Sequence, residues 1–138
     1  MTLEIDRIDH IVLNVADVQA SAAWYARVLG MEREVFDSRT GPRVAVKFGR
    51  QKINLRPMGE DTVAWFTGAH PAPGSDDLCF VTTQPIHEVL AHYTAMGVVP
   101  EAGPVERSGA LGPMTSVYCR DPDGNLVEVA SYPAPPAP

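Results

Sequence analysis

The sequence predicts an α+β fold made of two tandem βαβββ modules, and three observations carry that expectation. Apolar patterning runs strand, helix and three strands, and the same order returns after a stretch rich in Pro, Gly and Ala. The two halves align without a gap across the first strand and helix: Ile11-Val12-Leu13 falls on Leu78-Cys79-Phe80, and Val28-Leu29-Gly30 falls on Ala95-Met96-Gly97. At their far ends Ile53-Asn54-Leu55 resembles Val127-Glu128-Val129, at another offset because the loops differ. Identity between the halves is low, so shared patterning makes the repeat.

Each element has a local reason. Arg7 to Val15 is β-branched and apolar with polar insertions, which reads as a buried strand. Asp17 can cap a helix whose apolar stripe is Val18, Ala22, Tyr25 and Leu29, and Gly30 ends it. Strands follow at Glu32–Phe36, Val44–Phe48 and Lys52–Arg56, with Gly41-Pro42 and Gly49 in the turns. Residues 57–76 read as connection. Asp77–Thr83 is the next strand; Pro85 then opens a helix with Ile86, Val89, Leu90 and Tyr93 on one face, closed by Gly97. Val98–Pro100 makes a short strand at best, whereas Met114–Arg120 and Asn125–Tyr132 are stronger ones joined by Asp121-Pro-Asp-Gly. The expected organisation is one domain over 1–138: module one 7–58, connection 59–75, module two 76–133 and a mobile Pro/Ala tail over 134–138.

Composition narrows the function. The 138 residues are 45% hydrophobic and 20% charged, which suits a packed domain of ordinary size and excludes wholesale disorder. Acidic residues outnumber basic ones 17 to 11, for a net charge of −6, and this argues against a nucleic-acid partner. Apolar runs are strand-sized, so no membrane span is expected. The N-terminus lacks a basic region and an apolar signal core, so a cytoplasmic location is expected. Cys79 and Cys119 lie in apolar strand-like runs and read as two buried thiols.

Glu128 is the most informative side chain. It sits in Leu126-Val127-Glu128-Val129-Ala130, where a buried ionised carboxylate costs several kcal/mol unless something offsets its desolvation. It is either an outward-facing edge residue or one paired with an arginine, or else a metal ligand or general base. His10 alone would more often be a satisfied core histidine. The repeat changes this, because His10 matches Asp77 and Asn54 matches Glu128, so pseudosymmetry offers four polar side chains to one cup. Three of them are metal-ligand types. Asp77 is balanced between ligand and turn residue. Asn54 offers an amide oxygen. Arg56 shares its strand face, where a guanidinium suits an anionic substrate, although an exposed strand-end cation or an ion pair with Asp77 would also explain it. His70, in Ala69-His70-Pro71-Ala72-Pro73, can line the opening as a substrate contact or be solvated. His87 and His92 read as surface residues. No phosphate-binding loop, Ser-His-Asp order or CxxC occurs.

Three segments resemble the vicinal oxygen chelate superfamily, which contains glyoxalase I, extradiol dioxygenases, and fosfomycin and bleomycin resistance proteins. They are Ile8-Asp9-His10-Ile11-Val12-Leu13, Tyr25-Ala-Arg-Val-Leu-Gly-Met31 and Asp121-Pro-Asp-Gly-Asn-Leu-Val-Glu128. Phe48-Gly-Arg-Gln-Lys-Ile-Asn-Leu55, His70-Pro-Ala-Pro-Gly-Ser75 and Gly103-Pro-Val-Glu-Arg-Ser-Gly109 resemble, more narrowly, its glyoxalase-domain-containing 5 and bacterial virulence-protein branch. The resemblance spans 7–132 and is specific for fold rather than reaction.

It implies curved sheets forming a cup around one divalent ion (Mn, Fe(II), Ni or Zn), a small-molecule substrate and a homodimer. It also implies His10, Asp77 and Glu128 as metal ligands, with Glu128 doubling as the catalytic base. Asp77 stands where metal-dependent relatives usually have histidine, Asn54 where lyases often have Glu or His, and Arg56 where the narrower branch has histidine. The leading expectation is a metal-dependent, glyoxalase-type lyase or isomerase acting on a small oxygen-rich substrate. An extradiol-type dioxygenase favours two histidines and one carboxylate, whereas this chain offers one histidine and two carboxylates. A metal-free protein that sequesters a small molecule is the third reading; the retained His10 and Glu128 speak against it.

Overall fold

The computed structural model describes residues 1–134, so part of the Pro/Ala tail expected to be mobile lies outside the described residues. Ten elements follow in chain order: β1 (His10–Val15), α1 (Val18–Leu29), β2 (Glu32–Ser38), β3 (Gly41–Phe48), β4 (Gln51–Pro57), β5 (Asp77–Val81), α2 (Ile86–Met96), β6 (Ala102–Gly109), β7 (Gly112–Arg120) and β8 (Leu126–Ser131). They fall into two units, 1–73 and 74 onward. The connection expected between the modules therefore belongs to the first unit as far as Pro73.

Within each unit the topology is the same. The first sheet runs β1-β4-β3-β2 and the second β5-β8-β7-β6, with the outer pair β1/β4 or β5/β8 parallel and the rest antiparallel. Even the registers agree. His10 lies opposite Lys52 as Asp77 lies opposite Leu126, and Asn54 lies opposite Val12 as Glu128 lies opposite Cys79. The repeat read from the sequence is thus present in the pairing, and the α+β, tandem βαβββ architecture is as expected.

The helices begin and end for local reasons. The Asp17 carboxylate accepts from the Ala20 amide at 3.0 Å, and Gly30 closes α1 in the left-handed region at φ 67°. The buried residues of α1 are Ser21, Ala22, Tyr25 and Val28, so Leu29 of the expected stripe is displaced by Val28. In α2 Val89 and Tyr93 are buried, and Pro85 starts the helix without a side-chain cap. Each helix lies on its own sheet: α1 contacts β2, β3 and β4, and α2 contacts β7 and β8.

Two expectations need correction. No strand forms at Val98–Pro100; the strand after α2 is β6. β6 is an edge strand that is exposed along most of its length, with a register shift between Ala102 and Val105, so it has no apolar alternation to betray it. Cys119 is buried as expected, but Cys79 is exposed. Among the described residues no helix is long and apolar enough to cross a membrane.

Candidate functional site

In the second unit Cys119 donates from Sγ to the Tyr93 hydroxyl of α2 at 3.7 Å, which identifies the helix-covered face of the sheet. Burial pushes the Tyr93 phenol well above its ordinary value and raises the Cys119 thiol as well. Side chains alternate along a strand, so the residues beside Cys119 in sequence, and their partners in register, point to the other face. That face, turned away from α2, carries Glu128 at its centre on β8. Cys79 of β5 lies directly opposite it on one side and Tyr118 of β7 on the other, and Asp77 precedes Cys79 by one alternation.

Glu128 is 8% exposed, and its Oε2 is buried with no hydrogen-bond partner. Desolvation, reinforced by the Glu128 carboxylate, pushes the Cys79 thiol up to about 11. Burial likewise raises Tyr118, opposed by a hydrogen bond from Arg107 and augmented by Glu128. A buried, part-orphaned carboxylate with neutral S–H and O–H neighbours is a site prepared for a positive partner or a proton. Asp77 is exposed at the start of β5.

A turn fixes where this carboxylate stands. Asp121 accepts through Oδ1 from the Asp123 and Asn125 amides, each at 2.9 Å, and through Oδ2 from the Asn125 side chain at 2.8 Å. Asn125 Oδ1 then accepts from the Asp76 amide at 2.9 Å, and the Leu126 amide donates to the Asp76 carbonyl at 3.0 Å. The buried Asp121–Asn125 couple therefore locks the entry of β5 to the entry of β8, setting Asp77 opposite Leu126 and Cys79 opposite Glu128. Desolvation, with the nearby Asp121 charge second, raises Asp76. Gly74 sits at φ 81°, where an added Cβ would lie 2.3 Å from the Asp123 carbonyl oxygen.

The first unit places its candidates differently from one another. Asn54, the counterpart of Glu128, is 8% exposed and likewise has a buried Oδ1 without a hydrogen-bond partner. His10 opens β1, exposed, with Nδ1 2.7 Å from the Asp9 carboxylate; that hydrogen bond holds Asp9 below its usual range. His70 is exposed on the connection, and His87 and His92 are exposed on α2.

Arg56 is 1% exposed and is not the exposed strand-end cation weighed from the sequence. It donates from Nε to the Trp65 carbonyl at 3.0 Å, from Nη1 to Asn14 Oδ1 at 2.8 Å and from Nη2 to the Glu60 carbonyl at 2.9 Å. Among the described residues it enters no ion pair, so its protein partners are neutral oxygens rather than Asp77. These bonds bind the connection to β4 and β1, and Arg43, which stacks over Trp65 at 3.8 Å and donates to the Ala64 carbonyl at 3.3 Å, supports the same segment. Sequence reasoning missed this tether, and it missed Cys79 and Tyr118 as neighbours of Glu128.

Comparison with known proteins fits this geometry. Residues 7–129 match the family described as Glyoxalase/Bleomycin resistance protein/Dioxygenase superfamily. The chain belongs to this superfamily. Among its curated members, virulence protein STM3117 of Salmonella typhimurium is 44% identical over 93% of this chain and 85% of its own length. Glyoxalase domain-containing protein RDO1 of Mycosarcoma maydis is 40% identical over 94% of this chain and 70% of its own. An ethylmalonyl-CoA/methylmalonyl-CoA epimerase of Cereibacter sphaeroides is 31% identical over 91% and 97%. Of the solved superfamily structures, a protein from the mobile metagenome of V. Pseudocholerae superposes with a TM-score of 0.90 at 42% identity, covering 97% of this chain and all of that one. The lactoylglutathione lyase of Agrobacterium tumefaciens superposes at 0.68 with 29% identity, covering 93% and 95%.

The superfamily commonly uses a divalent metal, and the donors can be tested for it. Among the described residues no three His, Cys, Asp or Glu side chains stand together as a formed metal cluster, so each donor is judged singly. Glu128 fits: a buried carboxylate oxygen without a partner is what a hard or borderline cation takes up.

Proposed function

We propose that this protein is a metal-dependent enzyme of the glyoxalase type, a lyase, isomerase or epimerase that moves a proton on a small oxygen-rich substrate. The observation that carries the reading is the orphaned, buried Oε2 of Glu128 on the sheet face turned away from α2. Glu128 and Asp77 would give carboxylate oxygens to the ion and His10 an imidazole nitrogen; Mn, Fe(II), Ni and Zn all accept such donors. When bound, the ion supplies Lewis acidity to neighbouring substrate oxygens.

Glu128 also accepts the proton, through the carboxylate oxygen left without a hydrogen-bond partner. Asn54, buried with an unused Oδ1, accepts a substrate hydroxyl or N–H and so orients it. His70 is a further exposed group for an oxygen-rich substrate, and Arg56 enters only by tethering the connection. Similarity to an ethylmalonyl-CoA/methylmalonyl-CoA epimerase and to a lactoylglutathione lyase supports proton-transfer chemistry.

The test is solvent exchange. Mn2+-loaded protein in D2O, given a panel of α-hydroxy acids, α-keto acids, hemithioacetals and acyl thioesters, should introduce deuterium at the carbon beside the carbonyl of at least one, and Glu128→Gln should abolish this. Exchange in none of them, or unchanged exchange in the variant, contradicts the reading.

A further inference from the structure

On the face of the second sheet turned away from α2, Glu128 does not stand alone. Arg107 on β6 donates from Nε to the Tyr118 hydroxyl at 3.0 Å, with its guanidinium carbon 5.6 Å from the centre of the same ring. Tyr118 in turn lies directly opposite Glu128 on the neighbouring strand. A phenol has one proton to give. With Arg107 donating to its oxygen, that proton is free to point elsewhere, and the adjacent group able to accept it is the carboxylate. The guanidinium also polarises the O–H and strengthens it as a donor.

We propose that Arg107 and Tyr118 form a positioning pair for Glu128, the guanidinium fixing the phenol as a donor and the phenol aiming one carboxylate oxygen so that the other is presented to the ligand. The unpartnered Oε2 is then the working atom and Oε1 the anchored one. Direct opposition in the β7/β8 register sets the two side chains side by side on the same face, within reach of one another. Outer partners of this kind orient metal-binding carboxylates, and losing one commonly weakens metal binding about 10- to 100-fold. In its metal consequence this inference rests on the function proposed above; in the aiming of Glu128 it does not.

The test therefore has two arms. In metal-free protein carrying 13C-labelled glutamate, the Glu128 carboxyl resonance, assigned by its loss in E128Q, should move in Tyr118→Phe and in Arg107→Ala. In the Y118F background R107A should move it no further, because the arginine acts through the phenol. By calorimetric titration with Mn2+, Y118F should bind about 10-fold more weakly at unchanged melting temperature. R107A should fall part of that way, and R107K, which keeps an N–H donor, should recover most of it. An unmoved Glu128 resonance in Y118F, or an R107A effect of equal size in both backgrounds, overturns the positioning pair. If wild-type protein takes up no Mn2+ while the resonances behave as described, the metal reading fails and the positioning pair stands.

Discussion

Replacing Arg56 should unfasten the connection and destabilise the first unit strongly. Its guanidinium makes three hydrogen bonds of 2.8 to 3.0 Å to Asn14, Glu60 and Trp65, and the side chain is 1% exposed. Hydrogen bonds to a charged group contribute about 1.5–3 kcal/mol each, so three sum to roughly 4–9 kcal/mol before relaxation. Loss of the guanidinium leaves neutral acceptors, and each that stays buried without a partner costs about 1–3 kcal/mol. The Glu60 carbonyl can regain water if the segment lifts, whereas Asn14 lies in the buried end of β1 and cannot. Arg56→Ala is therefore expected to lose about 4 kcal/mol in urea unfolding. Arg56→Lys, which keeps the charge but not the planar fork, should lose about 2–3 kcal/mol. Limited proteolysis should move to residues 58–67 in both variants. A loss below about 1 kcal/mol in R56A, with an unchanged cleavage pattern, would refute the tether and return Arg56 to the substrate.

Three further outcomes follow from the second unit. Cys79 is exposed yet its thiol is pushed up to about 11, so at pH 8 iodoacetamide should modify it some hundredfold more slowly than an ordinary free thiol near 8.5. E128Q should speed that reaction, and alkylation at the ordinary rate in wild-type protein would contradict the account. Asp76 has a raised value, so its carboxylate weighs on stability above its unfolded value near 3.9, increasingly so up to its folded value, and not at all in stronger acid. Asp76→Asn should thus stabilise by about a few tenths of a kcal/mol at pH 7, small because the group is only part-buried and solvent screens it, and by nothing at pH 2.5; an equal gain at both pH values would refute the sign. Gly74→Ala should cost about 2 kcal/mol or more from the left-handed backbone and the approach to the Asp123 carbonyl, checked by thermal unfolding, and a neutral result would show that the turn yields freely.

Much of the fold was legible because its signal is local and repeated. The match of Ile53-Asn54-Leu55 to Val127-Glu128-Val129 reappears as identical strand registers, since apolar alternation fixes which residues can face a helix. β6 escaped notice because an edge strand spelled Ala-Gly-Pro-Val-Glu-Arg-Ser-Gly buries almost nothing. The burial of Arg56 was not legible because its partners include two backbone carbonyls of an irregular segment, and carbonyls leave no mark on a sequence. Cys79 was taken as buried because its neighbours Leu78 and Phe80 are apolar, although alternation places it on the face turned away from α2, beside Glu128. Tyr118 looked like one more strand residue; only the pairing of β7 with β8 reveals it as the neighbour of the carboxylate.

The central claim is that Glu128 is a carboxylate held in readiness for a divalent ion. Calorimetric titration of chelator-free wild-type protein and of E128Q with Mn2+ tests it most directly. The account predicts stoichiometric binding by the wild type and its loss in E128Q, with both proteins equally folded by circular dichroism; equal binding by the two, or binding by neither, would contradict it.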